Sequence, residues 1–387
     1  MSIQVNFIGD SRYDLVQEWR YCLQGGLNTI FSFYHIEKVM NTPSRMGFFE
    51  LVKERIPIMT QSSDCILAAR LNEDLDFKGT TEYCSGHHAL IYEGKKYKTA
   101  ETIKVDVCAD GIPVKNGETG LAKEITIEVT TVIYDPFVLK ASLIKDIAKP
   151  KYQTIIEEKI LYTVVNGNII CDVTRYYKDP VNIEAYGGFA SMALNLNYAY
   201  FPCGANKKDT DSDLFGRLDS NIGFNHECDK INYPDFNHFI RRDTDCKVFE
   251  SVYLYDDYSG NHSEIPDDYS MYWVYNAVGA INKKIYHRIA YHQNYSTGDI
   301  QRFKCMYSWF VPISNTSDYI CFQTGNMIFL DIKKAFDGLL YVTDDLNCEN
   351  YDIRKRTDSI KLLNFESNGY VRVTSTGNGM IILDKKP

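Results

Sequence analysis

The stretch TEYCSGHHAL, residues 81 to 90, gathers side chains that could carry out acid–base chemistry. Tyr83, Cys84, His87 and His88 surround a Ser-Gly turn and lead directly into an apolar-alternating segment. Histidine is the side chain most often used for proton transfer near neutral pH. Successive residues of an extended chain point to opposite sides. One of the two histidines is therefore expected to face a polar groove, whichever way the strand packs.

A second set of such side chains lies in KKIYHRIAYHQNY, residues 283 to 295. Strand alternation would place Tyr286, Arg288 and His292 on one face and His287 on the other. A tyrosine and an arginine near a histidine could bind a sugar acid and abstract a proton next to its carboxylate. We predict catalytic roles for His87, His88, Tyr286 and Arg288, and binding roles for Tyr83, His287, His292 and Arg241. The alternative is a strand with one solvated face and a turn at residues 85–88.

The segment GDSR at residues 9–12 follows a short strand-like run and resembles the nucleophile block of SGNH-type esterases. Those enzymes also use an Asp-x-x-His motif, and Asp235 and His238 have that spacing. Ser11 with His238 as base would form a nucleophilic set. The family's parallel sheet needs alternating strands and helices, which the β-patterned chain between these motifs does not show. Ser11 is then a turn residue, and the esterase is a minor alternative.

The loop-rich segment NHECDKINYPDFNHFIRRD suggests a metal site at first sight. His226, Glu227, Cys228 and Asp229 lie close to His238, and imidazole and carboxylate groups are ordinary metal ligands. The spacing does not match a compact zinc pattern, so we expect a solvated loop here. We assign no metal and no cofactor from the sequence.

Composition limits the classes of partner. The chain has 387 residues, of which 44% are hydrophobic and 24% are charged, as in an ordered globular protein. Its net charge of -9 disfavours nucleic acid, because binding to phosphate backbones draws on lysine and arginine. The 29 tyrosines and 20 phenylalanines favour β structure and offer flat rings for sugars.

The sequence also predicts where the protein is made. The amino-terminal residues lack the pattern of a secretory signal, and no apolar stretch is long enough to span a membrane. The 11 cysteines are scattered without a C-x-x-C pair, so reduced thiols in a cytosol are expected.

Three regions must position these residues. Residues 1–80 are predicted to be a small α+β region, with helix-like spacing at Tyr13–Leu23 and Met46–Arg55. Residues 81–315 alternate with period two, broken by Glu-Gly, Asp-Gly and Asn-Gly turns that include Asn166-Gly167, and predict a large antiparallel β-sandwich. Residues 316–387 predict a small C-terminal β domain with a meander.

The order of these features resembles the β-supersandwich of mutarotase-like proteins and many polysaccharide lyases, and similar modules of phage tail proteins. The resemblance covers about residues 85 to 315 and rests on the hairpin, AYGGFASMAL, the loop-rich insert and KIYHRIAYH. It implies that histidine, tyrosine and arginine side chains on a sheet face act on sugars. The matching residues here are His87, His88, Tyr286, His287 and Arg288.

We therefore expect a mainly β protein that recognises a polysaccharide or cell-surface glycan, with or without cleavage by lyase or hydrolase chemistry. The alternative is a virion structural, tail or adhesin protein without chemistry, released by lysis rather than by export. Neither nucleic acid nor a membrane is an expected partner, and self-association or assembly into a virion stays open.

Overall fold

The computed structural model describes residues 13–23, 30–38, 42–49, 60–69, 81–84, 89–115, 117–145, 149–165, 168–191, 198–200, 216–217, 238–242, 249–255, 272–275, 284–310, 312–324, 327–344, 346–356 and 358–386. For residues 13–69, 81, 83, 184–249, 272–292, 309–310, 324 and 354–356, the description covers only the backbone of those strands. Within these ranges the chain is mainly β, with 29 strands and one helix. The predicted fold class, a mainly β protein built from antiparallel sheets packed as a sandwich, is confirmed.

The first region contributes four described strands, which are β1 (Tyr13–Leu23), β2 (Ile30–Lys38), β3 (Thr42–Phe49) and β4 (Thr60–Ala69). The helix predicted at Tyr13–Leu23 is wrong, because this segment pairs along its length with β2. The register shifts between Leu15 and Gln17, which interrupts the two-residue period and leaves apolar residues at helix-like spacing. Of the second predicted helix, Met46 to Phe49 belong to β3, and residues 50–55 lie outside the described ranges.

The central region follows in chain order as β5 (Thr81–Cys84), β6 (Ala89–Tyr92), β7 (Lys95–Lys98), β8 (Ala100–Ala109), β9 (Ile112–Pro113), β10 (Thr119–Ala122), β11 (Glu124–Tyr134), α1 (Pro136–Ile144), β12 (Thr154–Val165), β13 (Asn168–Tyr177), β14 (Val181–Ser191), β15 (Tyr198–Tyr200), β16 (Gly216–Arg217), β17 (His238–Arg242), β18 (Phe249–Leu254), β19 (Tyr272–Tyr275), β20 (Lys284–Tyr295) and β21 (Ile300–Phe310). Among the described residues, no helix is long and apolar enough to cross a membrane.

The last strands are β22 (Ser314–Asn315), β23 (Tyr319–Thr324), β24 (Met327–Ile332), β25 (Phe336–Tyr341), β26 (Tyr351–Arg356), β27 (Ile360–Phe365), β28 (Tyr370–Ser375) and β29 (Gly379–Lys385). They form a five-stranded sheet of order β22-β23-β24-β29-β26 and a three-stranded sheet of order β25-β28-β27. Apolar side chains from both sheets, among them Leu330, Val373 and Ile381, form one core between them.

A ten-stranded sheet of order β16-β15-β17-β18-β21-β13-β12-β11-β8-β9 organises the central region. A five-stranded sheet of order β19-β20-β14-β4-β5 accompanies it, and a four-stranded sheet of order β10-β1-β2-β3 lies beside β8. Among the described strand pairs, only β1 with β10 is parallel.

Alternation along β12 and β13 separates the two faces of the ten-stranded sheet. Inner-face residues such as Ile160 and Val173 lie opposite each other and are buried, whereas Lys159 and Leu161 on the outer face are exposed. On the inner side, Tyr177 of β13 stacks on Tyr295 of β20, with ring centroids 4.0 Å apart at 6°. This stack joins the ten-stranded sheet to the five-stranded sheet.

The inner face also buries an ion pair. Glu158 and Arg175 are opposite each other on β12 and β13, and their side chains are 1% and 0% exposed. The Arg175 Nε donates to Glu158 Oε2 at 2.7 Å, and the guanidinium lies 5.1 Å from the centroid of the Phe303 ring. A buried charge needs such a partner because desolvation is costly.

The C-terminal strands cover part of the outer face of the same sheet. Met306 of β21 and Tyr253 of β18 pack with Phe322, Phe329 and neighbouring residues of β23, β24 and β29. Strand β24 is consequently buried at all six positions, since its two faces belong to two different cores. The apolar run MIFLDI is typical of a strand covered on both sides.

Short turns close the hairpins as their residues predict. Glu93-Gly94 between β6 and β7 has φ values of 46° and 75°, and Asp110-Gly111 between β8 and β9 has 49° and 79°. Positive φ at both central residues defines the type I′ turn, which matches the twist of the flanking strands. Asn166-Gly167 lies outside the described residues, although β12 and β13 on either side pair from Val165 and Asn168 onward.

Replacing Arg175 by methionine should destabilise the protein strongly. The change leaves the Glu158 carboxylate buried without its cation, which typically costs about 3–5 kcal/mol. Chemical denaturation should show the loss, and the double variant Arg175→Met/Glu158→Leu should recover much of it. Lys104→Met, which breaks an exposed pair with Glu128, is the control and should have little effect. Equal losses of stability in Arg175→Met and Lys104→Met would refute the assignment of Glu158 and Arg175 as a buried ion pair.

Thiol labelling should separate exposed from buried cysteines. Cys348 is exposed, whereas Cys84, Cys171, Cys305 and Cys321 are buried, and all of them are free thiols in the described residues. Burial raises the pKa of Cys84 to about 12 and that of Cys321 to about 12. Iodoacetamide with peptide mapping should therefore modify Cys348 in the native protein and the four buried residues only after denaturation. A disulfide among them would contradict the prediction.

Candidate functional site

The residues predicted in β20 are placed by their backbone register. Tyr286 lies opposite Trp273, His287 opposite Tyr272, and Arg288 opposite Gly187 of β14. The register shifts between Arg288 and Ala290, so β20 holds one extra residue there. The simple alternation predicted from Tyr286 to His292 is therefore interrupted, and the roles of these side chains remain predictions.

Tyr83 belongs to β5, in the same five-stranded sheet as β20. Its backbone neighbours run from Leu67 of β4 through Ala185 of β14 to Tyr291 of β20. Three strand spacings of roughly 4.8 Å separate the ends of this row, which is about 14 Å. His87 and His88 lie outside the described residues, so their convergence with Tyr286 or Arg288 stays a prediction.

The other predicted residues belong elsewhere. Arg241 and His238 are in β17 of the ten-stranded sheet, opposite Glu250 and Tyr253 of β18. Ser11 and the loop of His226, Glu227, Cys228, Asp229 and Asp235 lie outside the described residues. Within the described residues, no group of three or more histidine, cysteine, aspartate and glutamate side chains could hold a metal ion.

The described side chains do form a polar cluster at the end of the ten-stranded sheet where β8 begins and β11 ends. We call Lys98, Glu101, Tyr134 and Tyr152 the Glu101 cluster. Tyr134 donates its hydroxyl to Glu101 Oε2 at 2.7 Å, and Lys98 donates its ammonium group to the same oxygen. No described residue donates to the second carboxylate oxygen.

Local structure explains how these residues meet. Tyr134 ends β11, and Asp135 caps α1 by accepting from the amides of Phe137 and Val138 at 2.7 and 3.0 Å. Proline at the first helical position and aspartate at the cap begin the helix. The helix and the loop after it then return the chain to β12, which pairs with β11 and places Tyr152 beside Tyr134. Their ring centroids are 5.0 Å apart.

The cluster is open to solvent on one side. The residue Tyr152 is 37% exposed, and the Glu101 side chain is 41% exposed. The Lys98 ammonium lies 5.9 Å from the centroid of the Tyr152 ring. A flat ring, a carboxylate and an ammonium group thus share one patch of surface.

Proton affinities in the cluster follow from these contacts. The hydrogen bonds from Lys98 and from Tyr134 lower the pKa of Glu101, which therefore stays ionised. Burial, with the neighbouring Glu101 carboxylate, raises the pKa of Tyr134 well above its ordinary value. Burial also raises the pKa of Tyr152. Both phenols are consequently neutral hydrogen-bonding groups across the physiological range.

The cluster has a sequence link to the predicted histidines. His88 precedes Ala89, whose backbone pairs with Lys98 across the β6–β7 hairpin. Cys84, at the end of β5, is fully buried, and its pKa is raised by this burial and by the charge of Asp135, against the smaller lowering effect of Arg175. The described parts of the segment, in β5 and β6, are strands, and both strands contact the helix α1.

No spacing in the sequence identifies the cluster. Tyr134 and Glu101 are 33 residues apart, and each sits in a run that resembles any other β strand. One usable signal was Tyr-Asp-Pro at residues 134–136, where a strand turns into a capped helix. That signal marks Tyr134 at a strand end but does not indicate its partner.

No family model matches this chain, and no curated protein matches it. Among solved structures, it resembles a GH36 alpha-galactosidase from Geobacillus stearothermophilus, with 8% identity, a TM-score of 0.38, and coverage of 76% of this chain and 41% of that one. The galactosidase domain of an alpha-galactosidase-sucrose kinase is 9% identical with a TM-score of 0.38, and the match covers 78% of this chain and 41% of that one. A chondroitin AC lyase from Streptomyces coelicolor A3 is 7% identical with a TM-score of 0.19, and the match covers 92% of this chain and 47% of that one. The chain thus spans 41% of the length of each galactosidase, and likeness at these scores assigns neither function nor site.

The Glu101 carboxyl group should titrate below the ordinary glutamate value of about 4.3. Carboxyl carbon NMR shifts followed against pH should show this. Lys98→Met and Tyr134→Phe should each move the midpoint upward, because each removes a donor to the ionised form. Since the folded pKa is depressed, the contribution to stability is present above the unfolded pKa and is lost as pH falls through the folded pKa. An ordinary midpoint in the wild type would contradict the hydrogen-bond assignment.

Proposed function

We propose that this protein recognises carbohydrate through the Glu101 cluster. The observation that carries this conclusion is the exposed Tyr152 beside a carboxylate that accepts hydrogen bonds from Lys98 and Tyr134. An exposed tyrosine offers an apolar ring face together with a polar edge. The apolar C–H face of a sugar ring can pack on Tyr152 while its hydroxyl groups reach Glu101 and Lys98.

The polar groups of the cluster are suited to hydroxyl groups. The Glu101 oxygen that receives no described donor can accept from a sugar hydroxyl, and an ionised acceptor gives a stronger hydrogen bond than a neutral one. Lys98 carries three donor protons, of which one is directed to Glu101. A few fixed polar groups beside an aromatic surface are the usual composition of a small-molecule site.

The same contacts favour recognition over cleavage at this cluster. A general base works best when its pKa lies near the working pH, and the two donors lower the pKa of Glu101 instead. A raised pKa likewise makes Tyr134 a poor proton donor to a leaving group. Cleavage by lyase or hydrolase chemistry would require other groups. His87 and His88 are proposed for that role because they directly precede β6 in the sequence, and β6 pairs with the strand that carries Lys98.

The two alternative functions differ in what they require. The SGNH-type esterase would use a parallel sheet, whereas the described strands pair antiparallel except for β1 with β10. A virion tail or adhesin component without glycan binding would leave the Glu101 cluster as a surface feature. A binding experiment therefore separates recognition from a purely structural role.

Glycan binding should depend on Tyr152 and Glu101. The full chain is screened on a glycan array, and the affinity for the best-retained glycan is measured by titration calorimetry. Tyr152→Ala should weaken binding about tenfold or more, since truncating an aromatic anchor commonly costs over 1 kcal/mol. Glu101→Gln should weaken it by a factor of about 10 to 100, because hydrogen bonds to charged groups contribute roughly 1.5–3 kcal/mol.

Two matched variants at the far ends of the same strands provide controls. Ile112→Ala removes an exposed apolar side chain of β9, next to the far end of β8, and Glu124→Gln neutralises an exposed glutamate at the start of β11. Both should bind as the wild type does. Wild-type binding that survives Tyr152→Ala and Glu101→Gln would refute the Glu101 cluster as the site. A wild type that retains no glycan would favour the structural role.

A further inference from the structure

The three-stranded C-terminal sheet has one buried face and one exposed face. Leu340, Val371, Val373 and Leu363 point inward and belong to the core shared with the five-stranded sheet. The residues between them in sequence lie on the other side. We call this surface the open face, and it consists of Asp337, Leu339, Tyr341, Leu362, Asn364, Tyr370, Arg372 and Thr374.

The cross-strand register arranges the open face in three rows. Tyr341 lies opposite Tyr370 in one row, and Leu339, Arg372 and Asn364 lie side by side in the next. Asp337, Thr374 and Leu362 form the third. Three strands at roughly 4.8 Å and five residues at roughly 3.4 Å give a surface of about 10 by 14 Å.

Aromatic and apolar groups on this surface are exposed to solvent. Leu339 is 52% exposed, Tyr370 is 40% and Leu362 is 38%. The Tyr341 and Tyr370 rings meet edge to face, with centroids 5.4 Å apart at 66°. Edge-to-face packing leaves the flat side of one ring directed away from the other.

The tyrosine pair is held in a fixed position. The Tyr341 hydroxyl donates to Asp344 Oδ1 at 2.9 Å, and the amide of Val342 donates to the carbonyl of Gly369 at 2.8 Å. Asn368 and Gly369 have φ values of 61° and 84°, which form the tight turn directly before Tyr370. A Cβ atom at Gly369 would lie 2.4 Å from the Thr343 carbonyl oxygen, so only glycine permits this approach.

Charges on the open face are paired with one another. Arg372 Nη2 lies 2.9 Å from Asp337 Oδ1, which also accepts from the Thr374 hydroxyl at 3.3 Å. The side chains of Arg372 and Asp337 are 42% and 62% exposed, so both can still form hydrogen bonds with a ligand on the surface. Asn364 adds an amide with donors and an acceptor next to Arg372. The face presents many hydrogen-bonding groups and no excess of either charge.

We infer that the open face is a second carbohydrate-binding surface, and that its ligand is an uncharged polysaccharide. The tyrosine rings at one end can pack on the apolar side of a sugar. Sugar hydroxyl groups can accept hydrogen bonds from Arg372, donate to Asp337 and do either with Asn364. A polyanion would need unpaired cations, and an apolar protein partner would leave this paired charge buried at a cost. A short neutral oligosaccharide matches the dimensions and the charge balance.

The test measures retention of the full chain in affinity gels that contain galactomannan, xyloglucan, laminarin or, as the charged comparison, chondroitin sulphate. At least one neutral polysaccharide should retard the wild type more than chondroitin sulphate does. Tyr370→Ala and Arg372→Gln should each weaken that retention about tenfold or more, the scale on which central interface anchors act. Tyr370→Phe keeps the ring and should bind nearly as the wild type. Thermal melts establish that each variant is folded.

The Glu101 cluster is distinguished by its own variant in the same gels. Loss of neutral-polysaccharide retention in Tyr370→Ala, with some retention kept in Tyr152→Ala, supports a separate second site. Retention that is unchanged in Tyr370→Ala and Arg372→Gln overturns the inference, whether or not Tyr152→Ala binds. Stronger retention in chondroitin sulphate than in every neutral gel overturns the uncharged ligand.

Discussion

The register between β12 and β13 is the constraint on which much of the described structure depends. It sets Glu158 opposite Arg175, where both charges are buried and bonded to each other. A slip of one residue would send every side chain of the strand to the other face. The inner face would then present Lys159 and Leu161 to the core and carry Glu158 into solvent. A buried pair that tolerates only one partner geometry therefore adds specificity to the alternation of apolar residues.

From this register the two faces of the ten-stranded sheet follow. On the inner face, the Tyr177–Tyr295 stack joins the ten-stranded sheet to β20 of the five-stranded sheet. The outer face is divided. Its apolar part, around Met306 and Tyr253, is covered by the C-terminal strands, and its charged part, which includes Lys159, stays exposed. Burial on this side is decided by what packs there rather than by the strand itself.

Both proposed sites consist of side chains that lie outside the hydrophobic cores. In the Glu101 cluster, a strand end, a capped helix and a hairpin meet, and the carboxylate is held by donors from two of them. On the open face, a hairpin turn that requires glycine sets two tyrosines beside a paired arginine. Each site is rigid because its side chains are fixed by strands and by hydrogen bonds within the site. Rigid groups lose less conformational entropy when a ligand binds.

The sequence by itself determined the period-two alternation of the central and C-terminal strands, because one covered face requires it. It also determined the Glu93-Gly94 and Asp110-Gly111 turns, whose positive φ values few residues allow. It failed at Tyr13–Leu23, where pairing with β2 overrides helix-like spacing. Only the tertiary structure decided that Glu101, Tyr134 and Tyr152 meet, since β8, β11 and the loop before β12 are brought together by sheet order and by the return through α1. Contacts between residues 33 positions apart depend on which strands become neighbours, and the local pattern of a strand does not specify its neighbour.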